Sequence, residues 1–202
     1  NLKKEGIVSG VKNVGDVMYD ATLHNIKIAR EKTDILEELN LTPKEYILAT
    51  VHRAENTNNK EKLMNIVQAF NDSREKIVLP LHPRTKSYLA KYQLKFTDNV
   101  KVVSPVGYLN MLQLEANAKK ILTDSGGVQK EAFFLEVPCI TLRNETEWIE
   151  TVDSGWNILV GDIYEKIIEG IKNFEGGQIN VKPFGNGNAS KKIVKEINNY
   201  LS

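Results

Sequence analysis

Six short apolar runs punctuate the chain: Tyr46 to Val51, Ile77 to Leu81, Val100 to Val103, Lys120 to Thr123, Cys139 to Leu142 and Asn157 to Val160. Runs of this length without polar alternation read as strands buried on both faces. Between them, Lys60 to Glu75, Pro83 to Tyr92, Tyr108 to Ala118, Gly127 to Leu135 and Ile163 to Phe174 carry apolar residues at three and four spacing. Leu63, Ile66, Val67 and Phe70 are typical, and this is the period of an amphipathic helix. Val11 to Val14 reads as a further short strand, followed by a helix from Asp16 to about Arg30. The tail from Asn188 to Leu201 places Ile193, Val194, Ile197 and Leu201 on one helical face, after the glycine-rich loop Phe184 to Gly187. Strands alternating with helices predict an α/β fold, a doubly wound, Rossmann-like parallel sheet with right-handed crossovers.

Ligands of such sheets bind outside the carboxyl ends of the strands, so the residues just after each run matter most. Four of the six ends carry His52-Arg53-Ala54-Glu55-Asn56, His82-Pro83-Arg84, Asp124-Ser125-Gly126-Gly127 and Arg143-Asn144-Glu145-Thr146-Glu147. Strand, glycine turn and helix around Asp124 to Gly127 aim free backbone N–H groups at a phosphate, with Ser125 adding a hydroxyl and Glu131 a carboxylate one turn on. The same tetrapeptide also suits a plain helix start capped by Ser125 or Asp124. Two histidines and two arginines directly after buried strands favour the anion site, since separate helix caps need neither. Arg53 and Arg143 are shaped to clamp a diphosphate, unless Glu55 and Glu147 engage them in rim salt bridges. His52 is a proton-transfer or phosphate-donor candidate, while His82 is equally a strand stop before a helix opened by Pro83. Trp156 reads as packing.

Composition narrows the partners. The 202 residues, 41% hydrophobic and 26% charged, are ordinary for a globular chain. With 27 basic and 26 acidic residues, no global field favours nucleic acid or a membrane, so any anion is held locally. The single cysteine, Cys139, excludes an internal disulfide and a multi-cysteine metal site, and it reads as a small buried hydrophobe. Three dispersed histidines give no metal-ligand spacing. Gly-x-Gly-x-x-Gly is absent, which argues against a nicotinamide cofactor. No apolar stretch approaches the ~20 residues of a membrane span and no signal region opens the chain, so a cytoplasmic location is expected. Residue 1 is Asn, and Leu2 to Gly6 resembles a helix end with its glycine stop, so the chain is expected to be the later part of a longer protein.

Taken together, Thr50 to Asn56, Leu81-His82-Pro83, Thr123 to Gly127 with Gln129 and Glu131, Arg143 with Glu145-Thr146-Glu147, and Gly185 to Ala189 resemble the second half of the non-hydrolysing UDP-N-acetylglucosamine 2-epimerases. The likeness runs from about Val14 to the C-terminus. It implies one domain of a GT-B-type two-domain architecture: residues 1–12 as the tail of an N-terminal domain or linker, 13–187 as the UDP-binding domain, and 188–202 as a helix returning toward the other domain. It implies a UDP-sugar as substrate, no NAD and no metal, elimination and re-addition of UDP through a glycal, and a role in cell-envelope polysaccharide synthesis. It implies that His52 is catalytic and that Arg53, Tyr108, Ser125, Gly126, Gly127 and Glu131 bind UDP. His82, Glu55, Asn56, Asp124, Arg143 and Glu147 become candidate substrate or phosphate contacts. Further implications are a homodimer for the full-length protein, no nucleic-acid or membrane partner, and inactivity of this chain alone, because the main acid/base carboxylates come from the first domain. Where many relatives have Arg-Pro, this chain has Trp148-Ile149. A 2-epimerase of a UDP-diacetamido sugar, the donor domain of a GT-B glycosyltransferase and a non-catalytic binding domain are the alternatives.

Overall fold

In the computed structural model, which describes residues 2–177 and 182–201, the six apolar runs form one sheet. Positions 1, 178–181 and 202 of the anticipated domain spans lie outside the described residues. A 3-10 turn, Leu2–Glu5, leads into α1 (Val17–Lys32) and the short α2 (Ile35–Glu38). Then follow β1 (Ile47–Thr50), α3 (Ala54–Thr57), α4 (Lys60–Ser73), β2 (Ile77–Pro80), α5 (Pro83–Tyr92), β3 (Val100–Val103) and α6 (Tyr108–Asn117). The second half comprises β4 (Lys120–Thr123), α7 (Gly126–Phe134), β5 (Cys139–Thr141), α8 (Ile149–Asp153), β6 (Asn157–Leu159), α9 (Tyr164–Asn173) and α10 (Ala189–Leu201).

All strands are parallel, in the order β3-β2-β1-β4-β5-β6. Ile47 of β1 is flanked by Ile77 on one side and Lys120 on the other, so the topology reverses between β1 and β4. Such a reversal opens a crevice above the two strand ends.

Strand alternation sends Ile47, Ala49, Ile77, Leu79, Leu122 and Ile140 to one face and Tyr46, Leu48, Val78, Ile121 and Cys139 to the other. The first face is covered by Leu63, Ile66, Val67 and Phe70 of α4 and by Ile167 and Ile171 of α9. Burying the four α4 side chains stabilises the fold by roughly 6–12 kcal/mol before entropy is counted. The second face is covered by Leu114, Val128 and Ala132. Asn59 caps α4 by accepting from the Lys62 N–H, and Arg74 ends it in the left-handed region at φ 58.

Val11 to Val14 is not a strand. Asn13 Oδ1 accepts the Gly15 N–H at 3.0 Å in a local turn, and the segment then packs on the loop before α10. There Gly15 and Gly185, both at positive φ, approach backbone to backbone, and the Asp16 N–H reaches the Phe184 carbonyl at 3.0 Å. Phe184 joins Phe133 and Phe134 in an aromatic cluster that includes Trp148 and Trp156, as the packing assignment of Trp156 requires. Asp20 of α1 accepts the Ala189 and Ser190 N–H groups and so caps α10. The apolar side of α10 is uncovered, with Ile197 52% and Tyr200 90% exposed. Among the described residues no helix is long and apolar enough to cross a membrane.

Candidate functional site

The loops after β1 and β4 meet above the switch point, and Asp124 joins them. Its carboxylate is fully buried and accepts the His52 N–H at 3.0 Å, the Arg53 N–H at 2.9 Å and the Asn56 amide at 3.1 Å. Asn56 is buried as well, and its amide also reaches the Leu142 carbonyl at 3.0 Å. Asp124 and the Asn56 amide nitrogen thus tie the β1 loop to the ends of β4 and β5.

His52 is left at the crevice, its Nδ1 3.4 Å from Asp124 Oδ1 and its side chain 35% exposed. Burial holds its pKa below the ordinary 6.5; Asp124 opposes that, while His82 and Arg53 add to it. The His82 ring lies 5.3 Å from the His52 ring, and both line a cavity of about 210 Å³ with Thr50, Met111 and Val128. His82 does two things at once. Its Nδ1 accepts the Arg84 N–H at 3.1 Å, capping α5, which leaves Nε2 for a ligand.

At α7 the plain cap is absent. Ser125 holds the N-cap position with extended backbone, yet its hydroxyl makes no cap bond, and Asp124 turns inward. The Gln129 N–H bonds the Ser125 carbonyl, whereas the N–H groups of Gly126, Gly127 and Val128 find no partner among the described residues. These are the orphan donors of a helix N-terminus, with its partial positive charge. A Cβ on Gly126 would lie 3.2 Å from Trp148 Nε1, 3.6 Å from Glu147 Oε2 and 3.8 Å from Arg53 Nη2. The missing side chain is what keeps the turn open between these groups.

Glu131 is not on a solvated face. It is 7% exposed, with the Tyr108 hydroxyl on one side and the Glu115 carboxyl on the other. Burial lifts its pKa, opposed by the bonds from Tyr108 and Glu115. Tyr108, at the rim, is pushed up to about 12 by burial and by Glu131, so it stays a phenol. Glu115 escaped the sequence reading, although a carboxylate seven residues after Tyr108 and beside the buried Leu112 and Leu114 was a visible signal.

Arg143 is buried, with Nε 2.9 Å from Glu55 and Nη1 3.0 Å from Glu147, so both salt bridges weighed for it are formed. Its bond to Glu147 raises its pKa and lowers that of Glu147. Glu55 and Glu147, half exposed, are thereby committed to Arg143. Arg53, whose guanidinium has no hydrogen bond among the described residues, remains beside the turn. Cys139 is buried, its thiol pushed up to about 12 by that burial, and is inert packing.

A sequence model of the family described as UDP-N-acetylglucosamine 2-epimerase matches residues 1–198. The chain is 60% identical over 205 residues to a UDP-N-acetylglucosamine 2-epimerase homolog of Methanococcus maripaludis, covering 98% of this chain and 57% of that protein. It is 41% identical to the UDP-2,3-diacetamido-2,3-dideoxy-D-glucuronate 2-epimerase of Pseudomonas aeruginosa, covering 98% of this chain and 56% of that one. The fold matches the crystal structure of Methanocaldococcus jannaschii UDP-GlcNAc 2-epimerase in complex with UDP-GlcNAc and UDP, with a TM-score of 0.86 and 44% identity, over 98% of this chain and 57% of that one. The chain thus spans somewhat more than half the length of the relatives it matches.

Proposed function

As the chain belongs to the UDP-N-acetylglucosamine 2-epimerase family, we propose that it is the UDP-binding half of a sugar-nucleotide 2-epimerase interconverting UDP-N-acetylglucosamine and UDP-N-acetylmannosamine. One observation carries this: the unpartnered N–H groups of Gly126, Gly127 and Val128 open toward the crevice where Asp124 holds His52 and Arg53. Loss of the C2 proton with departure of UDP from C1 gives a glycal, and re-addition of UDP with a proton on the other face inverts C2. Both steps are redox-neutral, so the chemistry calls for no nicotinamide.

Negative charge grows on the diphosphate as the C1–O bond breaks. The α7 N-terminus, the Ser125 hydroxyl and the Arg53 guanidinium are donors fixed in advance of that charge. A diphosphate near His52 offsets the burial that keeps its ring neutral, favouring the imidazolium; with Nδ1 held toward Asp124, Nε2 then donates to the leaving group. Glu131 and Tyr108 are assigned to the ribose.

Inversion needs acid/base groups on both faces of C2. We assign these to a further domain of a longer, cytoplasmic, homodimeric protein, and the exposed apolar side of α10 supports a docked neighbour there. This chain alone is then inactive. A 2-epimerase of a UDP-diacetamido uronic acid is the second reading, favoured by the 41% identical Pseudomonas relative that carries that name.

Two experiments test the proposal. UDP titrated calorimetrically into this chain should bind, and Ser125→Ala or Glu131→Ala should each weaken binding by ~1 kcal/mol or more. The longer protein, given UDP-N-acetylglucosamine in deuterated water, should place deuterium at C2; exchange only with the diacetamido nucleotide selects the second reading. Transfer of the sugar to an acceptor without exchange would overturn both in favour of a glycosyltransferase.

A further inference from the structure

Glu115 has both carboxyl oxygens sealed from solvent, and neither has a conventional donor among the described residues. What it meets is the carboxyl of Glu131. The other titratable groups facing it are Tyr108 on its own helix, Tyr46 just before β1 and Cys139 on β5. Tyr46 spends its hydroxyl on the Leu114 carbonyl at 2.6 Å, and Cys139 is a protonated thiol. None of these is a cation. Two carboxyl oxygens in contact inside a protein need a proton between them, because two unscreened charges there repel strongly. Burial and the neighbouring Glu131 both raise the Glu115 pKa, so the proton rests on Glu115, the more enclosed group, and Glu131 keeps the charge.

We propose that Glu115 is a positioning residue for nucleotide binding: its acid O–H bonds Glu131 from the interior while Tyr108 bonds it from the rim, leaving the free lone pairs of Glu131 to accept from a vicinal diol. This rests on the reading of the α7 turn as a UDP site, in which the diol is that of the ribose. The mechanism requires Glu131 to stay an acceptor. A proton on Glu131 removes a lone pair the hydroxyls need, and a second charge on Glu115 pushes its carboxylate out of place.

UDP is titrated calorimetrically into the wild-type chain, Glu115→Gln and Glu115→Leu from about pH 6 to about pH 9, and the glutamate carboxyls are followed by carbon-13 NMR. Glu115→Leu, which has no donor, should lose about tenfold in affinity near neutrality, the worth of one hydrogen bond to a charged group. Glu115→Gln, which keeps an N–H donor, should recover most of that loss. Wild-type affinity should fall on the alkaline side as the shared proton leaves, and Glu115→Gln should not show that fall. The NMR spectrum should contain one carboxyl still protonated at neutral pH in the wild type and none in Glu115→Gln. Ordinary titration of every glutamate overturns the proposal, as do equal affinities and equal pH profiles in folded variants. Should Glu115→Leu fail to fold, the Glu115→Gln profile and spectrum decide alone. A protonated carboxyl with no UDP binding by the wild type overturns the nucleotide reading, and the positioning role with it.

Discussion

Replacing Asp124 by alanine removes a single carboxylate and orphans three donors. These are the His52 N–H at 3.0 Å, the Arg53 N–H at 2.9 Å and the Asn56 amide at 3.1 Å. A buried donor left unpaired costs about 1–3 kcal/mol. The Asn56 amide keeps its bond to the Leu142 carbonyl, and His52 is partly exposed, so loop relaxation recovers part of the total. The expected loss is about 3–5 kcal/mol, at the high end for a point mutation. At about 2–4 °C per kcal/mol for a chain of this size, that lowers the melting temperature by roughly 10 °C. Asp124→Asn retains one acceptor oxygen but points amide hydrogens at N–H donors, and should lose roughly half as much. Urea unfolding followed by circular dichroism reads the stability. NMR titration of His52 reads the second consequence: Asp124 is the influence that raises the His52 pKa against burial, so that pKa should fall further in Asp124→Ala. A loss below about 1 kcal/mol together with an unmoved His52 titration would refute the claim that Asp124 builds the site.

Gly126→Ala should separate binding from stability. Its new Cβ meets Trp148 Nε1 at 3.2 Å and narrows the turn, so UDP affinity should drop by about tenfold or more while the melting temperature moves by only a few degrees; calorimetry and thermal unfolding on one sample check both. Glu115→Gln should become more stable than the wild type as pH rises. The folded Glu115 pKa lies well above 4.5, so the unfolded chain releases this proton first. Wild-type stability is therefore lost as pH climbs from about 4.5 toward the folded value, and below that window the group has no effect. Thermal unfolding at about pH 5 and about pH 8 should show the difference between variant and wild type growing with pH; a shrinking difference would contradict a buried neutral acid.

The four inner strands were legible because a parallel strand covered on both faces is almost continuously apolar, leaving little choice of period, and the partly exposed edge strands β3 and β6 carry enough of the same apolar residues to be read with them. The α7 turn was legible for a similar reason: glycine after a buried strand and before an amphipathic run has few other uses. The four- and five-residue helices Ala54–Thr57 and Ile149–Asp153 were not, since neither completes enough turns to display a period. Val11 to Val14 has strand composition without a sheet neighbour, and composition alone does not supply one. Asp124 and Arg143 show the limit most clearly. Their positions at strand ends were right, yet which way each side chain turns depends on partners 68 to 72 residues away for Asp124 and, for Arg143, on Glu55 88 residues away as well as on Glu147 four residues on.

Under the proposed function, the division of labour between this chain and the rest of a longer protein follows from the sheet itself. A departing diphosphate is a localised anion, and donors fixed on one side suffice to stabilise it; the α7 N-terminus and the β1 loop, tied together by Asp124, provide that from a single edge. A carbon that loses a proton from one face and regains it on the other needs groups on opposite sides. The carboxyl ends of an open parallel sheet approach a ligand from one direction only. A second body must therefore close over the sugar, and changes at the turn should act first on UDP affinity, with proton exchange at C2 failing in consequence of lost binding rather than lost acid/base chemistry.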